Sequence, residues 1–176
     1  IRFLRGQTIS GFSDREKSRE WFGVDVNEKN VLKVLCKNGI AWTLLKATNV
    51  NDPVLINALS RHPSKFILFN VPGIIGREAL SLDQRWINCH KGLLPSVRGS
   101  SATFWSLLLK KPLGVTVHYV NDKIDEGAIL FQKKFDPPTV NTFSEWLLFE
   151  VYMVAQSVVE CLETWQVDGI PVGRAQ

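Results

Sequence analysis

The sequence predicts an α/β chain, with a mostly parallel sheet flanked by helices and a closing antiparallel strand pair. Three observations predict it. Short, continuous apolar runs such as Phe66-Ile-Leu-Phe69 have the length and composition of strands buried on both faces. Stretches of helical length and amphipathic pattern lie between such runs, so strands and helices alternate. Beyond residue 114 the apolar period becomes two, in Val115-Thr-Val-His-Tyr-Val120 and Ala128-Ile-Leu-Phe-Gln-Lys133, as in two strands joined by a loop.

Each element has its own signal. Residues 1–4 read as a short strand and 13–21 as a helix, but the glycine-rich phosphate loop that often follows a first strand is absent from this stretch. Residues 28–37 form an amphipathic helix, 42–45 a strand and 52–61 another helix. The run 66–69 is the next strand. Val71-Pro-Gly-Ile-Ile-Gly76 combines chain breakers with aliphatics, and reads as a loop entering a short helix through Leu80. Residues 86–89 make a further strand. A helix over 103–110 has serine available at its start and Pro112 just past its end. The strands 115–120 and 128–133 follow. Asn141 and Thr142 cap a final helix through about residue 165, whose Trp146, Phe149, Val154 and Val158 form one buried stripe.

Length and composition bound the function. At 176 residues the chain fits one domain over 1–176. With 21 basic and 17 acidic residues the net charge is +4, which mildly favours anionic partners, while the spread of Lys110, Lys111, Lys133 and Lys134 argues against a nucleic-acid stripe. The 3 cysteines, Cys36, Cys89 and Cys161, lack zinc-site spacing and suit a reducing compartment, so a cytoplasmic location is expected. No run of about 18 apolar residues spans a membrane. The chain starts at Ile1 rather than Met, so a targeting segment or a native N-terminal piece could precede it.

The chemistry concentrates in Asn88, His90 and Asp125. Asn88 and His90 sit two apart at the end of a strand, so their side chains share one face. Asp125 lies in an acidic loop between two strands, where α/β folds bind ligands. The three types are complementary: an amide donor for a developing oxyanion, an imidazole that moves protons near neutral pH, and a carboxylate that orients it. The N-x-H triplet alone is weak, since a lone histidine at a strand end is more often structural. Cys89 points to the opposite face, into the core. His118 on its alternating strand is either packed structure or a support behind the catalytic groups.

The text around the triplet carries more. Ile87-Asn-Cys-His-Lys-Gly-Leu-Leu-Pro95, Arg98-Gly-Ser-Ser-Ala-Thr-Phe-Trp105, Gly114-Val-Thr-Val-His118 and Ile124-Asp-Glu-Gly127 resemble, in order and spacing, the pattern of folate-dependent formyltransferases, of the sugar N-formyltransferase and methionyl-tRNA formyltransferase kind. The resemblance implies a Rossmann-like formyltransferase fold with its first βα unit shortened or missing. It implies 10-formyltetrahydrofolate as co-substrate, no metal, and catalytic roles for Asn88, His90 and Asp125. It also implies a folate pocket lined by Pro72, Gly73 and Ile74, by Gly92, Leu93, Leu94 and Pro95, and by Asn121, Asp122, Lys123 and Ile124. In that scheme an unprotonated amine attacks the formyl carbon, Asn88 and protonated His90 stabilise the oxyanion, and Asp125 raises the pKa of His90.

Four departures limit what the resemblance carries over, and the last of them bears on the acceptor. Gly92 replaces the family's usual Ser, Asn121 its usual Asp and Glu126 its usual Thr, and the first strand and helix, whose loop meets the acceptor, look shortened or missing. The expected acceptor is a small amine, phosphorylated or nucleotide-linked, with an amino sugar first. The alternatives are the catalytic part of a methionyl-tRNA formyltransferase, a formyltetrahydrofolate hydrolase, or a non-catalytic folate-binding regulatory domain. The resemblance also allows a homodimer.

Overall fold

The computed structural model describes residues 15–22, 31–170 and 172–176. In chain order the elements are α1 (Arg15–Phe22), α2 (Val31–Lys37), α3 (Pro53–Ser60), β1 (Phe66–Phe69), α4 (Arg77–Leu80), β2 (Arg85–His90), α5 (Ala102–Leu108), β3 (Leu113–Tyr119), β4 (Ile129–Phe135) and α6 (Phe143–Asp168). The four strands form one sheet in the order β1-β2-β3-β4. The β1–β2 pair is parallel, and β2–β3 and β3–β4 are antiparallel. The α/β class and the closing antiparallel pair stand. Among the described residues the sheet is mixed, because β3 enters beside β2 running the other way.

The expected strand at 42–45 is not formed. Residues 41–47 carry no regular structure, and Trp42 and Leu44 are exposed. Alternating apolar residues become a strand only where a neighbour takes their backbone hydrogen bonds, and among the described residues β1 pairs only with β2. The expected strand at 1–4 lies outside the described residues, as does the start of the expected helix 28–37.

Two apolar clusters sandwich the sheet. On one face Ile87 and Cys89 of β2 and Val115, Val117 and Tyr119 of β3 pack against Trp146, Phe149, Met153, Val154 and Cys161 of α6. Met153 is fully buried, so truncating it to Ala costs about 2–5 kcal/mol. On the other face Trp86 packs with Val50, Ile56, Ile75 and Ala79 under α3 and α4, and the Trp86 indole N–H donates to the Ala79 carbonyl at 2.8 Å.

The caps differ in chemistry. Thr142 Oγ1 accepts from the Glu145 N–H at 3.2 Å while the Glu145 carboxylate accepts from the Asn141 N–H at 2.8 Å, a reciprocal arrangement close to a capping box. The helix runs on to Asp168, past the expected end near 165. At α5 the expected serine cap fails, because Ser101 is left-handed (φ 57°) and its side chain makes no capping bond.

Candidate active site

Strand alternation divides β2 between the faces: Ile87 and Cys89 enter the α6 core, while Asn88 and His90 face the other way. In the β2–β3 register Asn88 lies opposite His118 and His90 opposite Thr116. Asn88 Nδ2 is 3.3 Å from His118 Nε2. His90 Nε2 is 2.8 Å from the Val97 carbonyl, and its Nδ1 lies 3.4 Å from Asp125 Oδ2. Asp125 Oδ1 in turn lies 3.6 Å from His118 Nε2. Asn88, His90, His118 and Asp125 thus form one contiguous polar group, with His90 and His118 both nearly buried.

The partners decide where the protons sit. A carbonyl only accepts, so the Nε2 facing Val97 carries a hydrogen, and the proton that His90 gains or loses resides on Nδ1, beside Asp125. The same reasoning puts a hydrogen on His118 Nδ1, which donates to the Tyr119 carbonyl at 2.7 Å. His118 Nε2 then lies between the Asn88 amide, at 3.3 Å, and Asp125 Oδ1, at 3.6 Å.

Burial pushes the His90 pKa below its ordinary value. The attraction of Asp125 and the hydrogen bond to Val97 raise it, and His118 and Lys91 lower it again. Asp125 raises the pKa as expected, but desolvation outweighs it, so the net shift is downward and favours the neutral imidazole near pH 7. Burial also pushes the Asp125 carboxyl up, yet the His118 hydrogen bond, the His90 charge and the Gly99 N–H outweigh it and bring the net below the usual carboxylate range.

Asp125 owes its position to its loop. Its φ is +53°, a left-handed conformation that Asp tolerates better than most residues. The Gly99 N–H donates to Asp125 Oδ2 at 2.8 Å, which ties the loop to the turn before α5. Two residues on, Gly127 runs so close to β3 that a Cβ there would sit 1.7 Å from the Tyr119 carbonyl oxygen. Gly92 has a related role beside the imidazole, where a Cβ would lie 2.7 Å from His90 Nε2 and 3.0 Å from the Val97 carbonyl. The family's usual Ser at that position does not fit this seating of His90.

The remaining expected pocket residues fall into two groups. Pro72, Gly73 and Ile74 are exposed on the loop after β1, and Asn121, Asp122, Lys123 and Ile124 are exposed after β3. Val71 and Val120, at the roots of these loops, pack into the same cluster around Trp86. Gly92 and Leu94 are instead buried, Leu93 is half-buried against Gly114, and Pro95 is exposed after a cis Leu94–Pro95 bond. The Leu94 N–H donates to Thr116 Oγ1 at 3.1 Å, and its carbonyl accepts from Gln132 Nε2 at 2.8 Å, so this turn is wedged onto β3 and β4.

Other contributors were not singled out from the sequence. Asn51 brackets the loop after β1, donating to the Ile74 carbonyl at 2.9 Å and accepting from the Gly76 N–H at 2.6 Å. An Asn before a Pro-initiated helix reads as ordinary turn chemistry, so nothing local marks it. Glu150, buried on α6, accepts from Lys91, Thr103 and Trp146 Nε1, and pins the residue after His90 to α5 and α6. Glu150 is the one charged residue in the apolar run 146–159, and that is the signal the sequence offers.

A neutral imidazole that exchanges a proton at one atom, a carboxylate facing that atom and an oriented amide suit acyl transfer. The chain belongs to the formyl transferase family, whose model matches residues 23–143. It is 30% identical over 140 residues to a methionyl-tRNA formyltransferase of Thermodesulfovibrio yellowstonii, covering 76% of this chain and 44% of that protein. The bifunctional polymyxin resistance protein ArnA of Wigglesworthia glossinidia brevipalpis is 36% identical over 87 residues, 48% of this chain and 13% of that one. Among solved structures, a sugar N-formyltransferase from Shewanella sp FDAARGOS_354 matches with a TM-score of 0.55 and 29% identity, over 82% of this chain and 55% of that one. The formyltransferase PseJ from Anoxybacillus kamchatkensis shares the fold at a TM-score of 0.61 and 21% identity, over 82% and 75% of the two chains. The chain spans less than half the length of the curated relatives it matches. Among the described residues no helix is long and apolar enough to cross a membrane.

Proposed function

We propose that the chain transfers a formyl group from 10-formyltetrahydrofolate to a primary amine, with a nucleotide-linked amino sugar as the acceptor. The observation that carries this reading is the apposition of His90 Nδ1 and Asp125 Oδ2 at 3.4 Å, next to the Asn88 amide, within the family's motif. The amine nitrogen attacks the formyl carbon, and Asn88 donates to the oxygen as negative charge develops on it. The amine's proton passes to His90 Nδ1, and Asp125 stabilises the imidazolium so formed. When the bond from carbon to the folate nitrogen breaks, the same Nδ1 proton moves to that nitrogen. Formamide and tetrahydrofolate result, and His90 returns to its neutral state.

Two exposed aliphatic side chains, Ile74 and Ile124, stand on the loops that flank the Trp86 cluster and are suited to cover the face of a flat ring. The amino-sugar choice is supported by the structural likeness to a sugar N-formyltransferase and to PseJ, which was solved with a UDP-linked formamido sugar and tetrahydrofolate. A methionyl-tRNA acceptor is the second reading, favoured by the 30% identity to the T. yellowstonii enzyme. The test is a panel of UDP-linked amino sugars, methionyl-tRNA and no acceptor, each with 10-formyltetrahydrofolate, followed by mass spectrometry. The proposal expects one formyl group gained by an amino sugar. Formylated tRNA alone selects the second reading, and formate released at an equal rate without acceptor overturns transfer in favour of hydrolysis.

A further inference from the structure

After α6 the chain turns back at Gly169 and lays a short extended piece along β4. Ile129 and Arg174 exchange backbone hydrogen bonds at 2.8 and 2.9 Å, and the Arg174 guanidinium meets the Gln132 side chain. Gln176, two residues on, reaches the loop that carries Asp125. Its Nε2 donates to the Asp125 carbonyl at 2.8 Å and to the Gly127 carbonyl at 2.9 Å. Its Oε1 accepts from Arg98 Nη2 at 3.0 Å, and Arg98 Nη1 binds Glu126 Oε1 at 3.2 Å. Both amide hydrogens and the amide oxygen are therefore engaged.

We propose that Gln176 is a positioning residue for the Asp125 carboxylate: its amide clasps the carbonyls on either side of Glu126 and holds Asp125 against His90 and His118. The inference rests on Asp125 acting in formyl transfer. The need for a clasp is local. Asp125 is left-handed, most of residues 121–126 are exposed, and its carboxylate stands 3.4 and 3.6 Å from the two imidazoles, distances at which small displacements matter. The Gly99 N–H holds the carboxylate itself, but among the described residues only Gln176 binds both carbonyls. Arg98 adds a cross-brace, because one guanidinium reaches Gln176 and Glu126 together.

Two substitutions separate positioning from simple docking of the tail. Gln176→Glu keeps an acceptor for Arg98, and gains charge attraction there, but presents a carboxylate to two carbonyl oxygens that need donors. If Gln176 positions the loop, this variant keeps its melting temperature to within a few degrees while kcat falls about 10²-fold, as expected for a displacement near 1 Å, with little change in KM for the folate. Gln176→Met removes donors and acceptor without adding charge. In this variant the His90 imidazole, followed by NMR, should titrate at a lower pH than in the parent, approaching Asp125→Asn, because the attraction of Asp125 is weakened. A Gln176→Glu enzyme within threefold of the parent kcat, a loss of kcat that merely tracks thermal stability, or an unchanged His90 titration in Gln176→Met overturns the inference. The titration needs no turnover, so it decides the role of Gln176 even if the parent protein proves to transfer no formyl group.

Discussion

Gly127→Ala tests how tightly β3 and the Asp125 loop are coupled. A Cβ at this position would lie 1.7 Å from the Tyr119 carbonyl oxygen and 2.7 Å from its carbon. Restoring an ordinary contact near 3.4 Å requires about 1.7 Å of movement, and both neighbours are backbone. Tyr119 is anchored, since its N–H donates to Ala128 and its carbonyl accepts from His118 Nδ1. The loop must therefore give way, and Asp125 lies two residues along it. A shift of that size takes the 3.4 Å contact between His90 and Asp125 to roughly 5 Å, beyond hydrogen-bonding reach. Catalytic misplacement of about 1 Å costs about 10²-fold in rate, and overpacking costs about 1–3 kcal/mol of stability. The assay is kcat for formyl transfer well below the melting temperature, beside a thermal melt. A Gly127→Ala enzyme within threefold of the parent in kcat would refute the reasoning that links the glycine to Asp125.

Three further predictions follow from the buried polar groups. Glu150→Leu leaves the buried Thr103 hydroxyl and Trp146 Nε1 and the part-exposed Lys91 ammonium without their acceptor and should cost about 1–3 kcal/mol in urea unfolding; adding Lys91→Met should recover part of it, and no recovery would argue against a paired charge. The His90 and Asp125 pKa values are both depressed on folding, so each stabilises the native state at high pH and ceases to as the medium is acidified. The His90 contribution is present above about pH 6.5 and is lost as pH falls through its lower folded value; that of Asp125 is present above about pH 4 and lost below. Relative to His90→Gln, the parent should therefore lose stability between pH 7 and 5, and equal slopes for the two proteins would contradict the depressed His90. Burial holds the Cys89 thiol at about 12 and the Cys161 thiol at about 11, while Cys36 is exposed, so a thiol reagent should label only Cys36 rapidly in native protein. Rapid labelling of a second cysteine would show that α6 opens.

The local parts of the fold were readable because their signals are local. The alternation in 113–119 and 129–135 sets the antiparallel pair, and the same alternation places Asn88 and His90 on one face with Cys89 on the other. What escaped depends on partners distant in sequence. Whether 42–45 forms a strand depends on a neighbouring edge, which its own residues do not encode. The raising effect of Asp125 on His90 follows from the residue types alone, whereas the burial that outweighs it depends on packing that the residues around His90 do not encode. His118 entered the site through a register that sets it opposite Asn88, 30 residues away, and nothing near Gln176 in sequence announces its bonds to a loop near residue 126.

His90→Ala bears most directly on the central claim. The measurement pairs single-turnover formyl transfer from 10-formyltetrahydrofolate to the acceptor found in the panel with a binding titration of tetrahydrofolate. The account predicts a loss of about 10²–10⁴-fold in transfer, the usual range for removal of a proton-transferring group, with folate affinity nearly unchanged. Transfer at the parent rate in His90→Ala would contradict the account.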